Sequence, residues 1–221
     1  MRTVIFDLDG TLADTSADLI AAANACFRGL GQGDVLDPVA DARVAFRGGR
    51  AMLTLGFARL GRPHAEAEIA AQYPVLIDAY AENIDANTVL YEGVVEAIED
   101  LKTKGYAVGV CTNKPEDLAD RLLTRLGVRD LFASMIGART VGVPKPDPKP
   151  YIAAVEGAGG QVAQSFLVGD TETDRATARA AGVACALVTF GPDGDAVKAM
   201  EPEALLPSYA DLARVTRELI G

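Results

Sequence analysis

Val4-Ile5-Phe6-Asp7-Leu8-Asp9-Gly10-Thr11 is an apolar run that ends in two acids and a turn. Side chains two residues apart on a strand point to the same side, so Asp7 and Asp9 crowd together where the strand leaves its sheet. In open α/β sheets that carboxyl edge is where ligands bind. Two like charges side by side need a reason, and the functional one is a bound divalent cation, or a proton shared between a nucleophile and its acid/base partner. The alternative is a strand-to-turn exit whose acidity has no functional meaning.

Beyond this strand, from Glu92 onward, helical and strand-like stretches alternate. Val94, Val95, Ile98 and Leu101 recur at helical spacing up to Gly105, and Tyr106 to Cys111 reads as a buried strand. Pro115, a stripe of Leu118, Leu122, Leu123 and Leu126, and Gly127 mark the next helix. Phe132 to Ile136, Phe166 to Val168 and Val183 to Phe190 read as further strands, with helices over Pro150 to Glu156 and Glu172 to Ala181. Ser208 with Asp211 three residues on predicts a capping box that opens a last helix through Leu219. Such alternation implies an α/β fold, a doubly wound and mostly parallel sheet with helices on both faces.

One connection breaks the rhythm. Between the first strand and Glu92 lie about eighty residues, far more than a crossover helix needs. Leu19 to Leu30, Val39 to Phe46, Ala51 to Leu60 and Ala65 to Asn83 carry helical rather than alternating apolar spacing, and Pro74 should kink or divide the last of them. The expected organisation is an α/β core over residues 1–14 and 87–221, with an inserted all-α cap over 15–86 resting on the sheet edge that carries Asp7 and Asp9.

Composition narrows the function classes. The chain has 221 residues, 49% hydrophobic, and a net charge of −10 with no basic stripe, which argues against a nucleic-acid partner. Acidity overall does not exclude a phosphorylated small molecule, because a metal ion and a few placed cations reverse the local field. Cys26, Cys111 and Cys185 are widely spaced in apolar stretches and read as reduced, buried thiols, and the sole histidine, His64, falls in a polar helical segment. Cysteine catalysis therefore lacks a base. No apolar run approaches a membrane span, and no signal-like region precedes the strand at Thr3, so the expected location is the cytoplasm with no membrane partner. Gly29 to Gly33 contains Gly-x-Gly but follows a helix, so it is no dinucleotide fingerprint.

Three more stretches fall after predicted strands, hence at the edge that holds the aspartates. Cys111-Thr112-Asn113-Lys114 offers hydroxyl, amide and ammonium groups suited to phosphate oxygens, or else a helix cap. Val143-Pro144-Lys145-Pro146-Asp147-Pro148-Lys149-Pro150 holds Lys145 between prolines, placed by the chain to neutralise a carboxylate and a transferring phosphoryl group, unless the run is a solvated polyproline-like turn. Val168-Gly169-Asp170-Thr171-Glu172-Thr173-Asp174 puts Asp170 at a strand end, where it can meet Asp7, and Asp174 one helical turn on, behind it.

In this order and spacing the four stretches resemble the haloacid dehalogenase superfamily, in its phosphoglycolate-phosphatase-like branch with a helical cap after the first strand. The resemblance implies a Rossmann-like core and a magnesium-dependent phosphomonoesterase acting on a small phosphorylated metabolite, 2-phosphoglycolate first. It implies that Asp7 is the nucleophile that forms an aspartyl-phosphate, and that Asp9 is the general acid/base. Asp7, Asp9 through its carbonyl, and Asp170 would hold Mg2+ with Asp174 behind them, Thr112 and Asn113 would hold the phosphoryl group, and Lys145 would stabilise its charge. In the cap, Phe46-Arg47-Gly48-Gly49-Arg50 resembles the family's glycine-containing loop, so Arg47 and Arg50 become candidates for the substrate carboxylate, with ordinary surface arginines as the alternative.

Rival activities fare differently. True dehalogenases lack the second aspartate, and phosphonate hydrolysis needs a cap lysine that residues 15–86 do not contain. A sugar-phosphate phosphatase, a pyrophosphatase or a phosphomutase on the same scaffold stays open, as does a non-catalytic interaction protein, although that rival predicts eroded motifs. Oligomeric state is not legible.

Overall fold

The structure, a computed structural model, describes residues 1–221 and divides the chain into two compact units, Met1–Ala13 with Leu90–Gly221 and Asp14–Val89. In chain order the elements are β1 (Thr3–Phe6), β2 (Ala13–Asp14), α1 (Ser16–Gly29), α2 (Ala42–Ala45), α3 (Gly49–Arg59), α4 (Glu66–Glu82), β3 (Val89–Leu90), α5 (Val94–Thr103) and β4 (Ala107–Cys111). There follow α6 (Glu116–Arg125), β5 (Ser134–Ile136), α7 (Lys149–Gly157), β6 (Ser165–Gly169), α8 (Glu172–Ala181), β7 (Ala184–Val188), β8 (Ala204–Leu206) and α9 (Leu212–Ile220). No helix is long and apolar enough to cross a membrane.

The first unit is built on a six-stranded parallel sheet in the order β5-β4-β1-β6-β7-β8. Central strands covered on both faces must be apolar on both, and Val4, Ile5 and Phe6 of β1 are fully buried. From β1 the chain runs outward through β4 and β5, then returns to β6 on the other side of β1. The order reverses between β1 and β6, the kind of switch point at which doubly wound sheets leave a crevice for ligands. In register, Phe6 of β1 stands opposite Val110 of β4 and Val168 of β6. Residues 7, 111 and 169 therefore leave the sheet at one level.

The second unit packs four helices. Phe27 of α1 meets Phe57 of α3 edge to face with ring centroids 5.4 Å apart, and the contact needs Gly56, where a Cβ would lie 2.1 Å from the Phe27 ring. Buried Asn24 accepts from the Val35 and Leu36 N–H groups and donates to the Leu36 carbonyl, holding the loop after α1. Buried Asp18 accepts from the backbone N–H groups of Asn87 and Thr88, which tethers the returning chain to the start of α1.

Local expectations fail at three places, each for a physical reason. Helix α2 spans four residues rather than Val39 to Phe46, because the Asp37 carboxylate accepts from the Val39 and Ala40 N–H groups and Asp41 accepts from Asp37 N–H. Those side-chain bonds compete with helix formation until residue 42. Of the kink or division expected at Pro74, division does not occur, and α4 continues through it. One missing N–H is tolerated where Ile69, Leu76 and Tyr80 anchor the buried face. Ser208 caps a 3-10 turn over Tyr209–Asp211 by accepting from Ala210 N–H, and α9 begins only at Leu212. Strand β8 has no signal in the sequence: Ala204, Leu205 and Leu206 carry no readable alternation, and pairing with β7 makes them a strand.

Candidate active site

The carboxyl ends of β1, β4 and β6 assemble the site within the first unit. Asp7 makes the last ladder bond of its strand, donating its N–H to the Val168 carbonyl at 2.9 Å, and then its Oδ1 accepts from Leu8 N–H at 2.7 Å. The chain turns back at Gly10, whose φ of +80° lies in the left-handed region that a residue with a Cβ enters at a cost. Thr11 is thereby brought under β6, where its hydroxyl donates to Asp170 Oδ1 at 3.0 Å. Thr11 stands in the opening stretch, but nothing about a turn threonine announces a partner 159 residues away.

Lys145 is the hub. Its Nζ lies 3.0 Å from Asp7 Oδ1 and 2.6 Å from Asp174 Oδ1, and all three side chains are largely buried. Burial alone would lower the lysine's pKa, but Asp174 and Asp7 outweigh it and hold the ammonium above its ordinary value. The prolines around Lys145 are not its only restraint. Asn113 grips its backbone from β4's exit loop, accepting from Lys145 N–H at 2.8 Å and donating to Lys145 C=O at 3.0 Å. The amide that sequence reading assigned to the phosphoryl group therefore positions the lysine with both ends of its side chain.

Asp174 works in the same way. Its Oδ2 accepts from the Thr171 N–H and hydroxyl, closing a capping box at the start of α8, while Oδ1 takes Lys145. A Cβ on Gly169 would come within 2.4 Å of this side chain, so the glycine at the end of β6 is what admits it. The Thr-x-x-Asp spacing is a legible signal for this box.

Asp170 is 1% exposed, and its Oδ2 has no hydrogen-bond partner. Carboxylate oxygens of Asp7, Asp170 and Asp174 lie within 4.8 Å of one another. Burial first, then the neighbouring Asp174 and Asp7, push the Asp170 carboxyl well above its usual range. Burial likewise pushes Asp7 up to about 7, with Asp174 and Asp9 adding to the effect and Lys145 opposing it. An orphaned buried oxygen facing other carboxylates, in an all-oxygen donor set, fits a hard divalent cation. The charge balance agrees, since four acids, Asp7, Asp9, Asp170 and Asp174, face two lysines.

The second lysine is Lys114. Its Nζ sits 2.9 Å from Asp9 Oδ1, and its side chain is 4% exposed. Thr112, on the same loop, is buried and accepts from Lys114 N–H at 3.1 Å, which keeps its own O–H for donation. Sequence reading noted Lys114 as suited to phosphate but gave it no role beside Asp9. Of the expected metal set, the Asp7 and Asp170 carboxylates stand together with that of Asp174, and the Asp9 carboxylate, which that set does not use, meets Lys114. Cys111 ends β4 fully buried, and burial pushes its thiol up to about 12, so it is a packing residue rather than a thiolate. Arg47 and Arg50 belong to the second unit, both exposed, and Arg50 pairs there with Glu66 at 2.9 Å.

Comparison with known proteins gives the family. The family model of the haloacid dehalogenase-like hydrolases matches residues 4–188. The chain belongs to that family. It is 36% identical over 220 residues to the phosphoglycolate phosphatase of Caulobacter vibrioides, covering 99% of this chain and 92% of the relative. It is 34% identical over 206 residues to the phosphoglycolate phosphatase of Mesorhizobium japonicum, covering 93% and 90%. Among solved structures, that of a predicted phosphoglycolate phosphatase from Haemophilus somnus 129pt superposes with a TM-score of 0.85 at 26% identity, covering 98% of each chain.

Proposed function

We propose that this hydrolase is a phosphatase that cleaves 2-phosphoglycolate with Mg2+ as its cation. The observation that carries the reading is the clamped Asp7 carboxylate: Lys145 Nζ and Leu8 N–H both hold Oδ1, beside the unpartnered Oδ2 of Asp170. A nucleophile fixed through one oxygen presents the other to phosphorus. The named activity of the Caulobacter and Mesorhizobium relatives supports the substrate.

Asp7 Oδ2 attacks phosphorus as the bond from phosphorus to the leaving oxygen breaks, and Asp9, carrying a proton taken up from the bound phosphate monoanion, gives it to the departing alkoxide. Asp9, now a carboxylate, takes a proton from water, whose oxygen attacks phosphorus; the bond to Asp7 breaks and inorganic phosphate leaves. Lys145 stays against Asp7 throughout, and the Thr112 hydroxyl together with the loop backbone at Asn113 is suited to hold the non-bridging oxygens. Asp7, Asp170 and the Asp9 carbonyl would hold Mg2+, with Asp174 fixing their surroundings. When bound, the ion neutralises charge on the phosphoryl oxygens and favours the ionised form of Asp7.

A panel of phosphorylated metabolites assayed with Mg2+ and with excess chelator tests the reading. The expected result is phosphate release that is fastest from 2-phosphoglycolate and lost with chelator. Full activity in chelator, or phosphoglycolate no better than simple alkyl phosphates, would refute the metal and the substrate respectively.

A further inference from the structure

Two buried lysines stand at the site, and the chemistry above uses one. We infer that Lys114 selects the substrate, binding a carboxylate carried on the same carbon as the leaving oxygen. The inference rests on the phosphatase reading of this site and adds the residue that sets its substrate class.

Lys114 is held by its backbone on both sides: its N–H donates to Thr112 Oγ1 at 3.1 Å, and its carbonyl accepts from Ala138 N–H at 3.0 Å. The ammonium is thus delivered by a fixed loop and not by a mobile surface chain. Its side chain is 4% exposed, and burying a cation to that degree needs nearby negative charge, which Asp9 Oδ1 supplies at 2.9 Å. The position on Asp9 decides what else the ammonium can reach. To protonate the leaving oxygen, Asp9 must come within hydrogen-bond distance of it. A group on the carbon that bears that oxygen is then brought beside Asp9, and so beside Nζ.

In 2-phosphoglycolate that group is a carboxylate. An ammonium has three N–H donors and no fixed plane, so one Nζ can serve Asp9 and a substrate carboxylate together. Lysine matters more here than in an ordinary pocket because the surroundings are acidic. Without Lys114, an incoming carboxylate meets the Asp9 carboxylate with no ammonium beside it, because Lys145 is already engaged by Asp7 and Asp174. A neutral alkyl group incurs no such repulsion. Lys114 therefore discriminates by attraction to the acid and by cancelling the field that would reject it.

The test compares wild type, Lys114→Met, Lys114→Gln and Lys114→Arg in saturating Mg2+ on 2-phosphoglycolate, 2-phospholactate and ethyl phosphate, with thermal melts to confirm folding. Wild type should prefer the two carboxylated esters. Lys114→Met should lose at least about 30-fold more kcat/KM on them than on ethyl phosphate, about 2 kcal/mol, chiefly through KM. Lys114→Arg should recover part of that preference; Lys114→Gln reads the same ratio if the methionine variant does not fold. An equal loss on all three esters means that Lys114 acts only through Asp9, and a carboxylate preference that survives its removal means that another residue selects; either overturns the inference while the phosphoglycolate reading stands. A wild type without carboxylate preference overturns both.

Discussion

The sheet edge of the first unit and the surface of the second use charge in opposite ways. At the sheet edge of the first, Lys145, Asp174 and Lys114 pair at side-chain exposures of 2%, 0% and 4%. In the second, Arg28 with Asp34, Arg50 with Glu66 and Arg62 with Glu68 pair at exposures between 42% and 77%. Exposed pairs contribute little, because water screens them and long side chains lose entropy in meeting. Buried pairs cost desolvation, and breaking one strands a charge. A chain that places three acids and two lysines largely out of water at one edge has accepted that cost for chemistry rather than for stability.

The largest effect should come from Asp7→Asn. The amide is nearly isosteric but cannot attack phosphorus, so phosphate release should fall by at least about a thousandfold. Initial rates measured beside a melting curve check this: a variant that folds and keeps substantial turnover would remove Asp7 from the nucleophile's role.

Gly169→Ala probes the buried region without removing a charge. Its Cβ would press on Asp174, which is pinned by Thr171 and Lys145 and has nowhere to go. A loss of about 1–3 kcal/mol in denaturant unfolding is expected, as for overpacked interiors, together with a fall in rate as Lys145 loses its anchor. A stable variant with normal turnover would show that the Asp174 contact is dispensable.

Between the extremes stands Asp41, buried and held by Arg59 with Nη2 2.7 Å from Oδ1. The hydrogen bonds from Arg59, against a smaller effect of burial, hold the Asp41 carboxyl below its usual 3.8. A lowered folded-state value means that the pair stabilises above about pH 4 and loses its contribution as pH falls through the lowered value. Asp41→Asn should cost about 1 kcal/mol at pH 7 and nothing further in acid. Unfolding free energies at pH 7 and pH 3 test the sign: a difference from wild type that grows in acid would contradict it.

Arg50→Ala should be smallest, below about 0.5 kcal/mol. A larger loss of stability would mean that the Arg50–Glu66 pair is not the screened surface contact its exposure indicates.

Legibility in the sequence followed the range of the interactions. Alternation of helix and strand, the long insertion after β1 and the strand ends that carry Asp7, Thr112 and Asp170 all follow from local apolar periodicity. Where side chains competed for backbone donors, as at Asp37 and Asp41, periodicity overran the helix. Where pairing made the strand, as in β8, it had nothing to detect. The site shows the same divide: acids and lysines at strand ends stood out, whereas the positioning role of Asn113 did not, because its partner is a backbone 32 residues away.

By itself, then, the sequence determined the fold class, the family and the residue types gathered at the sheet edge, since these depend on periodicity and on short motifs that survive without coordinates. Tertiary structure alone decided the pairings: Lys145 between Asp7 and Asp174, Thr11 on Asp170, Lys114 on Asp9. Those contacts join residues that approach only because β4 and β6 flank β1 in the sheet. The strength of a charge pair depends on the water excluded around it, and how much water is excluded is a property of the packed chain, not of any segment within it.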